Sequence, residues 1–224
     1  MSVCRAVFVI AALTRLAAAQ EHISFRTQDG GLIYADVYGA GARGVVLAHG
    51  GQFNKESWNK QARALVSAGF RVVAIDFRGY GQSHGPGDSD IYTAPLHLDV
   101  LAAVRYLRET GTKTVSLVGA SMGGDAAAQA MAAAPPGEID RLVVLASAPD
   151  APPGKLTGRK LFLVARDDRS GAGLRLPGIQ AFFQKVPEPK KLVILDGSAH
   201  AQFLFQTSQS ERVMREIVQF LTGR

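Results

Sequence analysis

The sequence predicts an α/β fold in which a mostly parallel central β-sheet carries helices on both faces. Two patterns predict it. Short continuous apolar runs are typical of strands buried on both faces of a parallel sheet, and apolar stripes at helical spacing lie between several of them. Alternating strands and helices imply right-handed crossovers, which put helices on both sides of the sheet. The six apolar runs are 45–48, 72–75, 115–118, 142–145, 161–164 and 192–195.

The remaining elements follow from local patterns. The segments 22–26 and 32–38 flank Asp29-Gly30-Gly31, a turn signal, and together predict a β-hairpin. An Ala-rich helix is expected after the run 115–118, beyond a turn lined with small residues. Three further helices are predicted by apolar stripes at helical spacing. These stripes are Trp58, Ala62, Leu65 and Val66; Val100, Leu101, Val104 and Leu107; and Val213, Met214, Ile217, Val218 and Leu221.

The composition predicts a single globular domain over residues 20–224. The chain has 224 residues, 47% hydrophobic and 20% charged, and this balance argues against disorder. The formal net charge is +6, but Lys and Arg are scattered, without a basic stripe or interleaved aromatic residues. We therefore expect no nucleic-acid partner. No pattern in the sequence indicates an oligomeric state.

The first 19 residues resemble a secretory signal peptide. A short basic start precedes the apolar run 6–13, and Ala17-Ala18-Ala19 fits a small-residue cleavage site. The pattern predicts a secreted or periplasmic protein, and because the run is too short to span a membrane comfortably, we expect no stable membrane insertion. Because Arg15 lies close to the apolar run, an N-terminal helix retained on a cytoplasmic protein is the alternative.

A nucleophile motif follows the apolar run 115–118. Gly119-Ala120-Ser121-Met122-Gly123 fits the G-x-S-x-G pattern of a serine on a sharp strand-to-helix turn. Such a turn closes only if the residues two positions away lack bulky side chains. The hydroxyl then stands at the start of a helix, where the helix dipole favours developing negative charge. The motif predicts Ser121 as a nucleophile; a plain Gly-rich turn is the alternative.

A serine hydroxyl is a weak nucleophile and needs a base, which in turn needs an orienting acid. His200 follows the run 192–195 in a short polar loop, at a strand end where sites of parallel sheets gather. Asp168 follows the run 161–164 and is the expected acid, with Asp167 as the second candidate. A loop His or Asp alone would be a solvated surface group. Three strand ends in the order Ser, Asp, His favour a catalytic triad.

The run 44–52 is the expected source of the oxyanion hole. It is a strand that ends in His49-Gly50-Gly51-Gln52, a form of the H-G-G-G pattern whose glycines let the backbone approach a substrate closely. The backbone N–H of Gly51 or Gln52 should act together with that of Met122. His49 precedes the nucleophile and is expected to brace the loop. A metal role for it is not indicated, because no second ligand lies at suitable spacing.

The chain resembles the α/β-hydrolase superfamily over residues 23–224. The resemblance implies the α/β-hydrolase fold and a serine-type hydrolase that acts on esters, with no metal or organic cofactor. It is specific for the superfamily and unspecific for the substrate. It rests on features that follow the superfamily's order, namely His49-Gly50-Gly51, the segment 76–83 (read as mainly structural), the elbow around Ser121, Asp168 and His200.

Two departures from other members refine this expectation. The Ser at position 121 separates the chain from relatives with an Asp nucleophile, such as haloalkane dehalogenases and typical epoxide hydrolases. Many relatives carry a helical lid after the sixth strand, whereas here only 147–159, rich in Pro and Gly, precede Lys160. We therefore expect no substantial lid. Some relatives carry the acid after the sixth strand, which makes Asp150 a third candidate.

The expected function is hydrolysis of a small-molecule substrate, a carboxylic ester, through an acyl-enzyme on Ser121. Without a lid the acyl pocket should be shallow and open to water, which favours short-chain acyl esters or lactones. This resembles compact lidless members such as dienelactone-hydrolase-like enzymes. A thioesterase, a deacylase and a peptidase of the same fold are alternatives. A non-catalytic binding or interaction protein that keeps the scaffold is an alternative of another class.

Overall fold

The computed structural model describes residues 20–223. The expected signal peptide, residues 1–19, lies outside the described residues. The described chain contains ten strands, eight of which form one central sheet. The strands are β1 (Glu21–Arg26), β2 (Leu32–Tyr38), β3 (Arg43–Ala48), β4 (Arg71–Ile75), β5 (Thr114–Ala120), β6 (Arg141–Leu145), β7 (Arg159–Ala165), β8 (Arg169–Ser170), β9 (Gly173–Leu174) and β10 (Lys190–Leu195).

The central sheet has the strand order β1-β2-β4-β3-β5-β6-β7-β10. The predicted hairpin forms the antiparallel pair β1–β2, in which Glu21 lies opposite Val37 and Arg26 opposite Leu32. Strand β2 also runs antiparallel to β4, and every other neighbouring pair is parallel. Strands β3 to β7 are buried along almost their whole length, as their continuous apolar sequences predict. The mostly parallel sheet is therefore confirmed.

The helices cover both faces of this sheet. The crossover from β3 to β4 runs toward one edge, and the crossovers from β4 to β5 and β5 to β6 run toward the other. Because such crossovers are right-handed, the helix of the first crossover lies on the opposite face from the helices of the other two.

None of the helices in residues 20–223 is long and apolar enough to cross a membrane. The α-helices are α1 (Asn59–Ser67), α2 (Leu96–Glu109), α3 (Met122–Ala133), α4 (Leu176–Lys185) and α5 (Ser210–Thr222).

No substantial lid covers the carboxyl edge of the sheet in the described chain, as predicted. The connection from β6 to β7 holds one short 3₁₀ helix, Pro153–Lys155. Two other connections extend over that edge instead. One is the segment 76–95 after β4, and the other is the segment 166–175 after β7, which contains the small hairpin β8–β9. These loops form the walls of the site described below.

Two features differ from the sequence analysis. Helix α4 has no predicted counterpart, because Pro177-Gly178 resembles a turn signal. In the structure Pro177 lies in the first turn, where its fixed φ suits a helix and its missing N–H costs nothing. Strand β7 also begins earlier than its apolar run, because Arg159 and Lys160 pair with Arg141 and Leu142 of β6. The Lys160 side chain is fully buried and donates from Nζ to the carbonyl oxygen of Leu156 at 3.0 Å.

Candidate active site

Ser121 lies at the turn between β5 and α3, with φ 51° and ψ −116°. Its backbone N–H donates to the carbonyl oxygen of Leu145 at 2.8 Å, which fixes the turn to the neighbouring strand. The two flanking positions require glycine because any side chain there would clash with neighbouring backbone. A Cβ on Gly119 would lie 2.1 Å from the carbonyl oxygen of Gly123, and a Cβ on Gly123 would lie 2.2 Å from that of Ala48. The spacing of the motif therefore reflects backbone packing on both sides of the serine.

The structure brings Ser121, His200 and Asp168 together. The Ser121 hydroxyl lies 2.8 Å from His200 Nε2, and His200 Nδ1 lies 2.8 Å from Asp168 Oδ2. Because an ionised carboxylate only accepts, Nδ1 carries the proton, and the hydroxyl donates to Nε2. The imidazole side chain is 26% exposed, whereas the Asp168 side chain is fully buried. The arrangement can transfer a proton from the hydroxyl to the imidazole.

The three carboxylates considered from sequence occupy different surroundings. Asp168 is the one placed against His200, while Asp167 and Asp150 are exposed and make no side-chain hydrogen bond to the imidazole among the described contacts. The second oxygen of Asp168, Oδ1, is buried without a hydrogen-bond partner and lies 3.4 Å from Arg175 Nε. The Arg175 backbone N–H donates to the Asp168 carbonyl oxygen at 2.9 Å. Arg175 therefore holds the acid from both its backbone and its side chain.

The predicted oxyanion-hole residues line the same cavity as Ser121. Gly51 and Gln52 follow β3, and Met122 is the first residue of α3. None of their three backbone N–H groups has an acceptor among the hydrogen bonds of residues 20–223. The N–H of Met122, at the start of α3, is one of the groups that a helix leaves without an internal acceptor.

His49 is fully buried beneath this loop. Phe77 donates its backbone N–H to Nε2 at 3.3 Å, so Nδ1 carries the proton and donates to the Gly50 carbonyl oxygen at 2.9 Å. Burial lowers the pKa of His49, which keeps the ring neutral. The ring also makes edge contacts with Phe77 and Tyr80. This packing agrees with a bracing role.

Two residues that the sequence analysis did not single out hold the loop in place. Gln202 is buried; its Oε1 accepts from the Gly50 backbone N–H at 2.7 Å, and its Nε2 donates to Ser57 Oγ at 2.8 Å. The Tyr80 hydroxyl donates to the Gly51 carbonyl oxygen at 2.9 Å. Tyr80 lies within the segment 76–83, which the family resemblance had already marked as structural. No sequence pattern pointed to Gln202, because its partner Gly50 is 152 positions away.

The cavity above Ser121 has a volume of about 790 Å³. This falls within the usual range for small-molecule sites. The walls come from loops after β3, β4, β6, β7 and β10 and from parts of α3 and α4. Three large apolar side chains that remain exposed on the described surface all line it, namely Tyr92, Leu174 and Phe203.

Two charged side chains line this cavity besides the imidazole, Asp125 and Arg175. Asp125 is engaged: it accepts from the Asp150 backbone N–H at 2.5 Å and from Gln129 Nε2 at 2.8 Å. Burial raises the pKa of Asp125. Across the described part of the chain, no three His, Cys, Asp or Glu side chains are placed to hold a metal ion together.

Comparison with known proteins assigns the chain to one fold family. The family model for the alpha/beta hydrolase fold matches residues 44–204. A non-heme haloperoxidase of Rhodococcus erythropolis is 34% identical over 124 residues, which cover 54% of this chain and 42% of the relative. An epoxide hydrolase of Caballeronia sordidicola is 45% identical over 53 residues, which cover 24% of this chain and 16% of the relative. The chain thus spans less than half the length of these curated relatives.

The architecture is also similar to that of a solved esterase from Pyrococcus furiosus. The TM-score is 0.77, the identity 17%, and the match covers 92% of each chain. At this identity the likeness concerns the fold alone.

Proposed function

This chain belongs to the α/β-hydrolase fold family, and from that premise we propose that it is a serine hydrolase that cleaves carboxylic esters. The observation that carries the proposal is the linear contact from the Ser121 hydroxyl through His200 to Asp168, with both hydrogen bonds at 2.8 Å. The order and spacing of these groups are those required to activate a serine.

In the first half-reaction, Ser121 Oγ attacks the ester carbonyl while His200 Nε2 takes its proton. Asp168 holds the imidazole in the productive tautomer and stabilises its charged form. The oxyanion accepts hydrogen bonds from the backbone N–H of Met122 and from that of Gly51 or Gln52. Each such donor contributes about 2.7–4 kcal/mol to transition-state stabilisation in comparable enzymes.

Collapse of the tetrahedral intermediate breaks the bond between the acyl carbon and the alcohol oxygen. His200 Nε2 returns its proton to that oxygen, so the alcohol leaves and the acyl group stays on Ser121. Water then attacks the acyl-enzyme with His200 as base, and the acid is released. The open mouth of the cavity admits water directly, and this supports hydrolysis of the acyl-enzyme.

We propose short-chain acyl esters or lactones as the substrate class. The support is the absence of a helical lid over the described sheet edge, because a long acyl chain needs an enclosed apolar tunnel to leave water. The 790 Å³ cavity holds a small ester without such a cover. A nitrophenyl ester panel of increasing acyl length tests this: activity should fall as the chain lengthens, and preference for long chains would contradict it.

The decisive experiment for the reaction class compares Ser121→Ala with Ser198→Ala on the same panel. Ser198 is exposed two residues before His200 and makes no hydrogen bond to it, so it controls for loss of a nearby serine. Ser121→Ala should lose ester turnover and labelling by a fluorophosphonate, while Ser198→Ala keeps both. Undiminished hydrolysis by Ser121→Ala would overturn the assignment.

The same panel separates the alternatives. Thioesters and amides added to it test thioesterase, deacylase and peptidase activity, and styrene oxide tests the reaction named in the epoxide hydrolase relative. Ring opening without ester turnover would contradict the proposal. If a fluorophosphonate left Ser121 unlabelled, the non-catalytic binding protein would become the better explanation.

A further inference from the structure

An aromatic pair joins the two loops that carry the proposed donors and the proposed base. Phe53 directly follows Gln52, and Phe203 lies three residues after His200, where its backbone N–H donates to the His200 carbonyl oxygen at 3.0 Å. The two rings meet in a tilted edge-to-face contact, with centroids 4.9 Å apart and an interplanar angle of 60°. The pair therefore links the loop that carries the imidazole to the loop that carries the proposed donors.

The pair also reaches the nucleophile turn. The Phe53 ring comes within 3.7 Å of the point where a Cβ on Gly50 would lie, and that point is 3.3 Å from the Ala120 carbonyl oxygen. Gly50 therefore lies between the Phe53 ring and Ala120, the residue before Ser121. Both rings line the same cavity as Ser121.

Phe203 remains 36% exposed in spite of its size. Exposed large apolar groups clustered at one cavity are typical of a binding surface. The edge-to-face contact uses Phe53 on one side and leaves part of the Phe203 ring open to a ligand. A second aromatic ring placed there would extend the cluster in the geometry that aromatic groups prefer.

The short link between Phe203 and His200 indicates which half of a bound ester would meet this pair. His200 Nε2 must deliver its proton to the leaving oxygen, so the alcohol group lies on the imidazole side of Ser121. The acyl group extends away from it. Resting on the proposed function, we propose that the site is selective for esters whose alcohol carries an aromatic ring, which packs against Phe203 and Phe53.

The test uses isomeric esters so that size and hydrophobicity stay constant. Benzyl acetate carries its ring on the alcohol side, and methyl phenylacetate carries it on the acyl side. The unaltered enzyme should show a kcat/KM for benzyl acetate about tenfold above that for methyl phenylacetate and for ethyl acetate, a ratio within reach of one added aromatic contact. A ratio near one would overturn the inference.

Variants locate the effect. Phe203→Leu and Phe53→Leu should each lower the ratio of benzyl acetate to ethyl acetate by about fivefold. Phe182→Leu is the matched control, because Phe182 is a half-buried aromatic that packs on Phe162 and does not line the cavity. Its ratio should equal that of the unaltered enzyme. A ratio taken on one preparation is independent of the fraction of active enzyme.

The outcomes also separate this inference from the proposed function. If Ser121→Ala abolishes ethyl acetate hydrolysis but neither phenylalanine variant changes the ratio, the serine hydrolase proposal stands and the aromatic subsite falls. If ethyl acetate hydrolysis survives in Ser121→Ala, the proposed function itself falls.

Discussion

Ser121 holds a left-handed backbone angle, with φ 51°, in a protein where most positive φ angles belong to glycine. Such a conformation costs about 1–3 kcal/mol and persists only where the surroundings leave no alternative. The surroundings here are close backbone contacts at Gly119 and Gly123 and the hydrogen bond to Leu145. The strain lifts the hydroxyl clear of the sheet toward His200.

Replacing Gly119 with alanine tests this account of the turn. The new Cβ would meet backbone atoms at 2.1 Å, which cannot shift as a side chain can, so Gly119→Ala should lose about 3 kcal/mol of unfolding free energy. Gly178→Ala is the control, since its Cβ meets open space within α4 and should change stability by less than about 1 kcal/mol. Urea unfolding measures both; equal stabilities would contradict the account.

Asp168 differs from the adjacent Asp167 in burial: the Asp168 side chain is buried against His200, whereas Asp167 is exposed. We expect Asp168→Asn to lower kcat about 10⁴-fold, the loss seen when a triad carboxylate becomes an amide that favours the wrong tautomer. Asp167→Asn and Asp150→Asn should keep activity, because both side chains are exposed away from the imidazole. Steady-state rates on one ester decide the matter. A large loss in either exposed variant, with Asp168→Asn active, would reassign the acid.

The loop after β3 depends on elements distant in sequence. Its Gly50 N–H is held by Gln202 from the 3₁₀ helix Ala201–Gln206, and its Gly51 carbonyl oxygen is held by Tyr80 from the segment after β4. Because the same short helix follows His200, the Gln202 hydrogen bond joins the loop with the proposed oxyanion donors to the loop with the base.

Removal of the Gln202 amide should therefore impair catalysis through the position of the loop. Gln202→Leu leaves the Gly50 N–H unpaired, and we expect kcat to fall about 10²-fold, as for a displacement of roughly 1 Å. Gln202→Glu keeps an acceptor and should restore part of kcat. Gln206→Leu, an exposed position of the same helix, is the control. If kcat of Gln202→Leu equals that of Gln206→Leu, the loop does not need this contact.

One buried guanidinium outside the cavity, that of Arg78, connects three segments that are distant in sequence. Arg78, from the loop after β4, is fully buried and binds Asp29 in the β1–β2 turn and Asp99 in α2, each at 2.6 Å. Three distant segments thus meet at one charge network. The hydrogen bond from Arg78 lowers the pKa of Asp29 to about 2.

This shift predicts how stability depends on pH. An unfolded Asp titrates near 3.9, so the folded protein binds this proton less readily than the unfolded chain. The stabilisation from Asp29 is therefore present above about pH 4 and is lost as the pH falls toward 2. The stability gap between the unaltered protein and Asp29→Asn, measured by urea unfolding, should narrow from pH 6 to pH 3. A constant gap would contradict the pairing; the exposed Asp167→Asn serves as control.

The chain by itself determined the features that depend on local pattern. Continuous apolar runs fixed the buried strands, helical stripes fixed most helices, and the residue sizes around Ser121 fixed the turn, because neighbours in sequence decide these conformations. Helix α4 was missed where its opening Pro177-Gly178 is also typical of a turn. The order of the motifs placed Asp168 first among the candidate acids, but it did not exclude Asp167 or Asp150.

Only the tertiary structure decided which groups meet. It placed Asp168 rather than Asp167 against the imidazole, brought Gln202 to Gly50 across 152 positions, and gathered loops from several strand ends around one cavity. The physical reason is that such contacts depend on how separate elements pack. A contact between remote residues leaves no periodic trace in the sequence of either partner.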